Sequence, residues 1–443
     1  MNIYKFETNY KKKLFWKKTD NIDIKEYSPN VEFEVINIYP EIEYQSFIGF
    51  GGAFTESTGY SINLLPNELQ ESLLNDYFSN EGLCYSLCRL PIGSSDFSPS
   101  SYSYSQKEDL SDFSIEKDYQ YIIPYVKKAQ EINNFIEFLA SPWSPPSFMK
   151  DNNNLLNGGK LKDIFKPIYA DYIAKYIKAY KNEQILIKYL TPQNEPNAIQ
   201  SWESCNFSAK EEIDFITEYL YPILKSNQLD TKILMWDHNK DQILKRVLEE
   251  NSFNKDFNEI AGFAFHWYTG DHFQNLKILH DLYPNKLLIH SEGCTGYSHF
   301  KKWDEIKNAE IYAHDIIGDL NSGVNGYIDW NLVLDNKGGP NHKQNYCNSP
   351  IMINKKHSNY IKNLTYYYIG HFSKFIQKDS KRIAFSSYTD KLQILSFKNK
   401  DNSITVVLLN CTKKCVSYNL VINEIVINDK IDKHSIITYQ INL

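Results

Sequence analysis

Two glutamates in the central part of the chain follow short apolar runs, and their carboxyl groups are able to give or take protons. Glu195 lies in Thr191-Pro-Gln-Asn-Glu-Pro196, directly after the run 185–190. The prolines prevent a strand or a helix from continuing through this segment, so Glu195 is presented at a rigid strand end. Glu292 lies in the same position after the run 286–290. A carboxylate behind apolar residues costs free energy unless it has a partner, which favours a functional role for Glu292, whereas Glu195 taken alone could also cap the next helix.

Two facing carboxylates are the groups that cleave a glycosidic bond. One gives a proton to the leaving oxygen, and the other meets the positive charge that develops at the anomeric carbon. Polar and aromatic residues near the ends of the other apolar runs would surround the same site. The candidates for substrate binding are Arg89, Asp96, Trp143, Asn194, His266, Tyr268, Trp330 and Asn341.

These candidates also have structural interpretations. Arg89 could be only a counter-ion, although a guanidinium beside a carboxylate also keeps that carboxylate ionised. Trp143 and Trp330 have polar neighbours in the sequence, which favours a stacking platform for a ring over packing in the core. We expect His266 to be a hydrogen-bond donor and not the group that transfers the proton.

Eight buried apolar runs, separated by amphipathic helices, predict the fold class. The runs span residues 47–54, 84–90, 135–140, 185–190, 232–236, 261–265, 286–290 and 324–328. One helical face is formed by Tyr169, Tyr172, Ile173, Tyr176, Ile177 and Tyr180. Ser208 with Glu211 predicts a capping box, and 359–375 reads as a long aromatic helix. The alternation predicts an α/β protein with a (β/α)8 TIM barrel, whose active site lies at the carboxyl ends of the strands.

The first run contains the glycine-rich segment 49–52, for which a phosphate-binding loop is the alternative interpretation. No Lys-Ser or Lys-Thr pair follows it, and the glycines lack the G-x-G-x-x-G spacing. We therefore expect these glycines to permit close packing at the barrel mouth.

The two chain ends have a different pattern from the barrel region. Residues 31–38 alternate between apolar and polar, as expected of a half-exposed strand. The segments 403–410, 417–423 and 435–440 are short and rich in β-branched residues. These patterns predict an appended β-sandwich built from both chain ends, with domains at 1–45 and 378–443 around a barrel at 46–377.

The composition bounds the partners. The net charge is −6 without a large block of one sign, so nucleic acid and an anionic membrane are poor candidates. No run is long enough to span a membrane, and Met1–Asp20 lacks the apolar core of a signal peptide, so a cytoplasmic location is expected. The seven cysteines form no C-x-x-C pair or Cys/His cluster, which argues against zinc and favours small packed side chains. No metal or cofactor is predicted, and the oligomeric state is left open.

The chain resembles glycoside hydrolase family 30, and most closely its glucosylceramidase and β-glucosidase branch. The resemblance extends over about residues 46–376. The matching motifs are Gly49-Phe-Gly-Gly-Ala-Phe-Thr-Glu56, Arg89-Leu-Pro91, Asp96-Phe-Ser98, Ala140-Ser-Pro-Trp-Ser-Pro-Pro146, Thr191-Pro-Gln-Asn-Glu-Pro196, Phe265-His-Trp-Tyr268, His290-Ser-Glu-Gly-Cys294, Asp329-Trp-Asn-Leu332, Gly338-Gly-Pro-Asn341 and Tyr368-Ile-Gly-His-Phe-Ser-Lys374.

The resemblance implies a retaining β-glycosidase in which Glu195 is the acid/base and Glu292 the nucleophile. Asn194 matches the amide that binds the sugar 2-hydroxyl. The residues that match the lining of the −1 sugar site are Asp96, Trp143, Trp330 and Asn341. An aspartate there suits a terminal glucose, so the implied activity is hydrolysis of terminal β-glucosides in a carbohydrate or a glycolipid. The alternatives are a β-1,6-glucanase or a β-xylosidase on the same scaffold, or a non-catalytic sugar-binding protein.

Overall fold

Both ends of the chain contribute strands to one sheet. The computed structural model describes residues 2–20, 22–26, 34–253 and 257–442. The N-terminal strands are β1 (Asn2–Asn9), β2 (Leu14–Thr19), β3 (Ile24–Glu26) and β4 (Val35–Ser46). The alternating strand predicted at 31–38 is thus found from Val35 onward, while 31–33 lie outside the described residues.

Eight parallel strands then close into a barrel, which confirms the predicted fold class. They are β5 (Gly49–Ala53), β6 (Leu87–Ile92), β7 (Glu137–Pro142), β8 (Ile187–Leu190), β9 (Lys232–Asn239), β10 (Ile260–His266), β11 (Leu287–Glu292) and β12 (Gly326–Asn331). Each strand pairs with its neighbours in chain order, and β12 pairs with β5. A Cβ on Gly51 would lie 1.5 Å from the carbonyl oxygen of Leu87, so β5 and β6 can approach this closely only with glycine there.

Helices lie between successive barrel strands in the sequence, and the last helix follows the barrel. They are α1 (Glu56–Asn63), α2 (Asn67–Phe78), α3 (Asp118–Tyr121), α4 (Ile123–Ile132), α5 (Lys166–Asn182), α6 (Ala209–Phe215), α7 (Tyr221–Ser226), α8 (Ile243–Asn251), α9 (Phe273–Leu282), α10 (Glu305–Asn321) and α11 (Leu364–Ser373). The predicted apolar face on α5 is buried throughout. The predicted capping box is also present, because Ser208 and Glu211 bind each other's backbone N–H at the start of α6.

The long aromatic helix predicted at 359–375 is wrong in its first part. Tyr360–Lys362 forms a strand, β15, which pairs antiparallel with β14 (Ile351–Ile353), and β14 pairs with β13 (Val333–Leu334). Asn363 has extended backbone angles and precedes the first helical residue, so α11 begins only at Leu364. Pairing with a distant strand overrides the local aromatic pattern there.

The chain ends in six strands that complete the sheet begun by β1. They are β16 (Lys381–Ser387), β17 (Gln393–Lys398), β18 (Ile404–Asn410), β19 (Val416–Ile422), β20 (Ile425–Ile431) and β21 (Ser435–Asn442). β1 pairs along its whole length with β21, and β4 lies between β16 and β19. The hydroxyls of Tyr418 and Tyr439 meet at 2.6 Å although their strands are not neighbours, so the sheet folds over onto itself around an apolar core.

Two further features of the described residues are unpaired cysteines and helices of limited length and apolarity. Among the described residues all seven cysteines are free thiols, and Cys88, Cys205, Cys294 and Cys347 are buried. Within the described ranges no helix is both long and apolar enough to cross a membrane.

Candidate active site

The carboxyl ends of the barrel strands surround a cavity of about 610 Å³. Seven of the ten candidate residues line it: Asp96, Trp143, Asn194, Glu195, Tyr268, Glu292 and Trp330. The other three lie behind the wall. Each of these binds a lining residue, Arg89 to Glu292, His266 to Glu195 and Asn341 to Asp96.

Glu292 is the last residue of β11, and its carboxylate has a donor on each oxygen. Arg89 Nη1 donates to Oε2 at 2.6 Å, and the Tyr268 hydroxyl donates to Oε1 at 2.7 Å. Burial raises the pKa of Glu292, and the nearby charges of His266 and Arg89 offset part of that rise. Tyr268 is 42% exposed as a whole residue and lines the cavity, while its hydroxyl holds the glutamate.

Glu195 follows β8 in a left-handed backbone conformation with φ of 46°. It does not cap the next helix, because Ser208 does so. Its Oε1 lies 3.2 Å from His266 Nδ1 and 4.0 Å from His238 Nε2. Burial raises the pKa of Glu195, but the hydrogen bond from His266 and the charges of the two histidines outweigh burial and hold that pKa below its usual value.

The two glutamates are close to each other. A carboxylate oxygen of Glu195, one of Glu292 and a ring nitrogen of His266 all lie within 4.8 Å of one another. This oxygen–oxygen approach is shorter than the carboxyl separation of roughly 6.5–9.5 Å that leaves space for a water molecule in inverting glycosidases.

His266 lies between Glu195 and a further acid, Asp237. Its Nδ1 faces Glu195, and its Nε2 is 3.1 Å from Asp237 Oδ1. Burial lowers the pKa of His266, but the surrounding carboxylates, Glu292 foremost, raise it to about 9. Both ring nitrogens therefore carry protons at neutral pH, and His266 donates to Glu195 on one side and to Asp237 on the other.

Asp237 is the buried residue that sequence reasoning missed. It is fully buried, and its carboxylate binds Arg89, Thr191, His266 and Ser291. Burial would raise the pKa of Asp237, but the charges of Arg89 and His266 hold it well below the usual range. It lies in the strand-end segment of β9, so the rule that selected Glu195 and Glu292 could have selected it as well.

Arg89 is the cation at the centre of the site. It is fully buried inside β6, and its Nη2 donates to Asn194 Oδ1 at 2.9 Å. The guanidinium carbon lies 4.8 Å from the ring centre of Trp143 and 5.7 Å from that of Trp330. These two rings stack on each other at 5.1 Å and 19° and are each 2% exposed, so they form a packed floor under the guanidinium as well as part of the cavity wall.

Asp96 is a further carboxyl group in the cavity wall. Its Oδ2 accepts hydrogen bonds from Asn341 Nδ2 at 3.0 Å and from Asn345 Nδ2 at 3.3 Å. Burial and the charge of Glu292 raise the pKa of Asp96 to about 7, although both amides oppose the rise. Asn345 lies on a loop with no strand signal, and nothing in the sequence pattern singled it out.

Two groups of acidic residues and histidine lie close enough to offer ligands to a metal in the described part of the chain. They are Glu195 with His266 and Glu292, and His290 with Asp315 and Asp319. In the first group the guanidinium of Arg89 binds Glu292, and in the second the ammonium of Lys240 binds both aspartates. A side-chain cation is thus already paired with Glu292 in the first group and with both aspartates in the second.

Two family models match the chain over nearly its whole length. The glycosyl hydrolase family 30 TIM-barrel domain matches residues 47–376, and the glycosyl hydrolase family 30 beta sandwich domain matches 379–439. The chain belongs to glycoside hydrolase family 30. This confirms three expectations from the sequence. They are the family, the assignment of the chain as a glycoside hydrolase, and the fold of a barrel with a β-sandwich.

Similar proteins within the family differ in what their names say they act on. The lysosomal acid glucosylceramidase of Mus musculus is 33% identical over 85% of this chain and 77% of its own. SrfJ from Salmonella typhimurium has a structure that matches with a TM-score of 0.97 at 32% identity, over all of both chains. The endo-β1,6-glucanase BT3312 matches with a TM-score of 0.89 at 29% identity, over 99% of both chains. This family 30 glycosidase therefore acts on a carbohydrate or a glycolipid, and the site leaves two substrate classes to weigh.

Proposed function

We propose that the protein is a retaining β-glycosidase that releases terminal glucose from β-glucosides. The observation that carries this proposal is that one carboxylate oxygen of Glu195 lies within 4.8 Å of one carboxylate oxygen of Glu292. Retaining enzymes hold their two carboxyl groups roughly 5 Å apart, because one of them bonds directly to the sugar.

The contacts of each glutamate support the role proposed for it. Glu292 touches the permanent positive charge of Arg89, which favours an ionised nucleophile. Glu195 lies 3.2 Å from His266 and 4.0 Å from His238, two side chains whose charge changes with pH, which suits a group that acts first as acid and then as base. In the first step Glu292 attacks the anomeric carbon while Glu195 protonates the leaving oxygen. In the second step Glu195 removes a proton from water, and the water displaces Glu292.

Asn194 and Asp96 are placed to bind the sugar that the glutamates attack. Asn194 turns its carbonyl oxygen to Arg89, so its amide donors remain for a hydroxyl beside the anomeric carbon. Asp96 lies at the cavity wall and presents a carboxyl group that suits the hydroxyls at the far end of the ring. A sugar whose far hydroxyls are bound by the protein carries no further sugar there, so it is the terminal residue of its chain. This supports exo-action.

The second candidate is an endo-acting β-1,6-glucanase. It is favoured by the likeness to BT3312, which covers nearly the whole of both chains. The cavity also extends past the glutamates to Gln200, Trp202 and Asn239, which are side chains that could bind further sugars. The mouse relative supports a lipid aglycone instead.

The test is a panel of substrates followed by product analysis. Wild-type protein is given an aryl β-glucoside, an aryl β-xyloside, gentio-oligosaccharides of increasing length and a short-chain glucosylceramide, with Glu292→Gln as the control for background hydrolysis. We expect glucose to be released from the aryl glucoside, with the β-anomer as the first product by NMR. Release of the α-anomer first would contradict retention, and internal cleavage of the oligosaccharides would select the glucanase.

A further inference from the structure

We propose that Asp237 is a positioning residue that couples the two catalytic glutamates by holding, with one carboxylate, the partner of each. Arg89, which binds Glu292, is held by one oxygen of Asp237, and His266, which binds Glu195, is held by the other. This inference rests on the proposed function, since it assigns both glutamates to the chemical step.

Four donors converge on the Asp237 carboxylate and divide evenly between its oxygens. Oδ2 accepts from Arg89 Nη2 at 2.7 Å and from Thr191 Oγ1 at 2.6 Å. Oδ1 accepts from His266 Nε2 at 3.1 Å and from Ser291 Oγ at 2.6 Å. All four hydrogen bonds are shielded from solvent. Each is therefore stronger than in water, and a buried donor or acceptor left without a partner costs free energy.

The backbone of Asp237 holds Glu195 as well. The amide of Glu195 donates to the carbonyl oxygen of Asp237 at 3.0 Å. Glu195, Trp236 and Asp237 all have positive φ, at 46°, 79° and 52°. Such angles in residues other than glycine are strained and persist only where the surroundings impose them. The contacts of Asp237 are part of those surroundings.

The same carboxylate keeps a proton next to Glu195. The titratable groups that face His266 are Glu195 at the end of β8, Asp237 and His238 on β9, Tyr268 after β10, and Glu292 on β11. Asp237 is the closest acid that does not line the cavity, so its charge persists whatever occupies the site. The proton on His266 Nδ1 is 3.2 Å from Glu195 Oε1. The two groups share this proton, and Glu195 can act as the acid only at a pH below that at which the pair loses it.

Asp237→Asn is the variant that breaks the coupling with the smallest change in shape. An asparagine has one oxygen acceptor, so its amide group must face either the Arg89 side or the His266 side. With the oxygen toward Arg89, the amide donates to His266 Nε2 and fixes a neutral imidazole. The His266–Glu195 pair then loses its proton at a lower pH than in the wild type.

The experiment measures kcat/KM against pH with an aryl β-glucoside whose leaving group needs protonation and with one whose leaving group does not. In Asp237→Asn we expect the alkaline limb for the first substrate to move to lower pH by at least about one unit, and its rate at pH 8 to fall at least about tenfold more than for the second. Asp118→Asn is the matched control, because Asp118 is a buried carboxyl that binds the hydroxyls of three tyrosines. An alkaline limb that stays in place in Asp237→Asn, or that moves equally in Asp118→Asn, would overturn the proposal.

A second measurement does not depend on activity or on the folding of Asp237→Asn. The imidazole nitrogens of His266, assigned by comparison with His266→Gln, are titrated by NMR in the wild type. We expect them to stay protonated well past pH 7, and a midpoint near 6.5 would overturn the inference. If wild-type protein hydrolyses no β-glucoside but His266 titrates as expected, the proposed function fails and the Asp237–His266 coupling stands.

Discussion

Two buried arginines of the barrel are each bound by two carboxylates and packed against tryptophan, but only one of them serves a cavity. Arg89 binds Asp237 and Glu292 over the rings of Trp143 and Trp330. Glu292 also binds Tyr268 and opens on the cavity, so one of the two carboxylates is available to a substrate.

The second arginine, Arg246, lies between α6 and α8. It binds Glu212 and Glu250, and its guanidinium carbon is 5.4 Å from the ring centre of Trp236. Both carboxylates are fully buried. Burial and the charge of Glu212 raise the pKa of Glu250 well above its usual value, although the charge of Arg246 opposes the rise.

The difference between the two groups is access. In the closed group one guanidinium serves two buried carboxyl groups, and burial favours the neutral form of Glu250. In the open group the charge of Glu292 is kept by Arg89 and Tyr268 and is turned toward a ligand. Neither the residue types nor the number of ion pairs distinguishes an active site from a structural cluster; the cavity does.

The largest expected effect comes from neutralising one carboxylate in each group. Glu292→Gln should lower turnover of an aryl β-glucoside by more than about a thousandfold, because the nucleophile is lost. Glu250→Gln is the matched variant, and it should change turnover little and the free energy of unfolding by less than about 1 kcal/mol, because burial already favours the neutral form of Glu250 that glutamine resembles. A Glu292→Gln enzyme that keeps a tenth of its activity would refute the assignment.

Removing the proton donor should have the next largest effect, and one that depends on the substrate. Glu195→Ala should slow hydrolysis by about 10²–10⁴-fold when the leaving group needs a proton. With an activated leaving group, azide should restore turnover and yield a β-glucosyl azide, which is detected by mass spectrometry. Absence of both rescue and azide product would show that Glu195 is not the acid/base.

Breaking the closed group should affect stability. Arg246→Met leaves the two buried glutamates without their cation and should lower the free energy of unfolding by about 3–5 kcal/mol, measured by urea denaturation. Glu250→Gln, which keeps an acceptor for Arg246, serves as the control. A loss below about 1 kcal/mol in Arg246→Met would mean that the closed group contributes little to the fold.

The smallest expected effect is a pair of opposite pH dependences. The pKa of His266 is raised to about 9, so its stabilisation is complete below pH 6.5 and is lost as the pH rises to 9. His371, buried between Thr8 and Thr438, has its pKa lowered to about 3 by burial. Its unfolded form takes up the proton first, so stability is lost as the pH falls from 6.5 toward 3.

Substitution separates these two histidines. His266→Gln should remove a decline on the order of 1–3 kcal/mol in the free energy of unfolding on the alkaline side, and His371→Gln should remove a similar decline on the acid side. Urea denaturation across pH 4–9 measures both. The same slope in the variants as in the wild type would contradict the corresponding assignment.

Much of the barrel and part of the site were predictable from local pattern. The eight strands are short runs of apolar residues because a barrel strand is buried on both faces, and that pattern survives in the sequence. Glu195 and Glu292 were predictable because both follow such runs. The errors fell where a distant partner decides the structure: Tyr360–Lys362 is a strand only because Ile351–Ile353 lies beside it.

The sequence alone determined the barrel, the family and the two glutamates at strand ends. Only the tertiary structure decided which polar residues line the cavity and which stand behind it, because Arg89, His266 and Asn341 have the same local pattern as the residues that they hold. It also decided the role of Asp237, whose bonds to Thr191 and Ser291 join segments far apart in the chain. A charge acts through distance and burial, and both are fixed only when the strands close into a barrel.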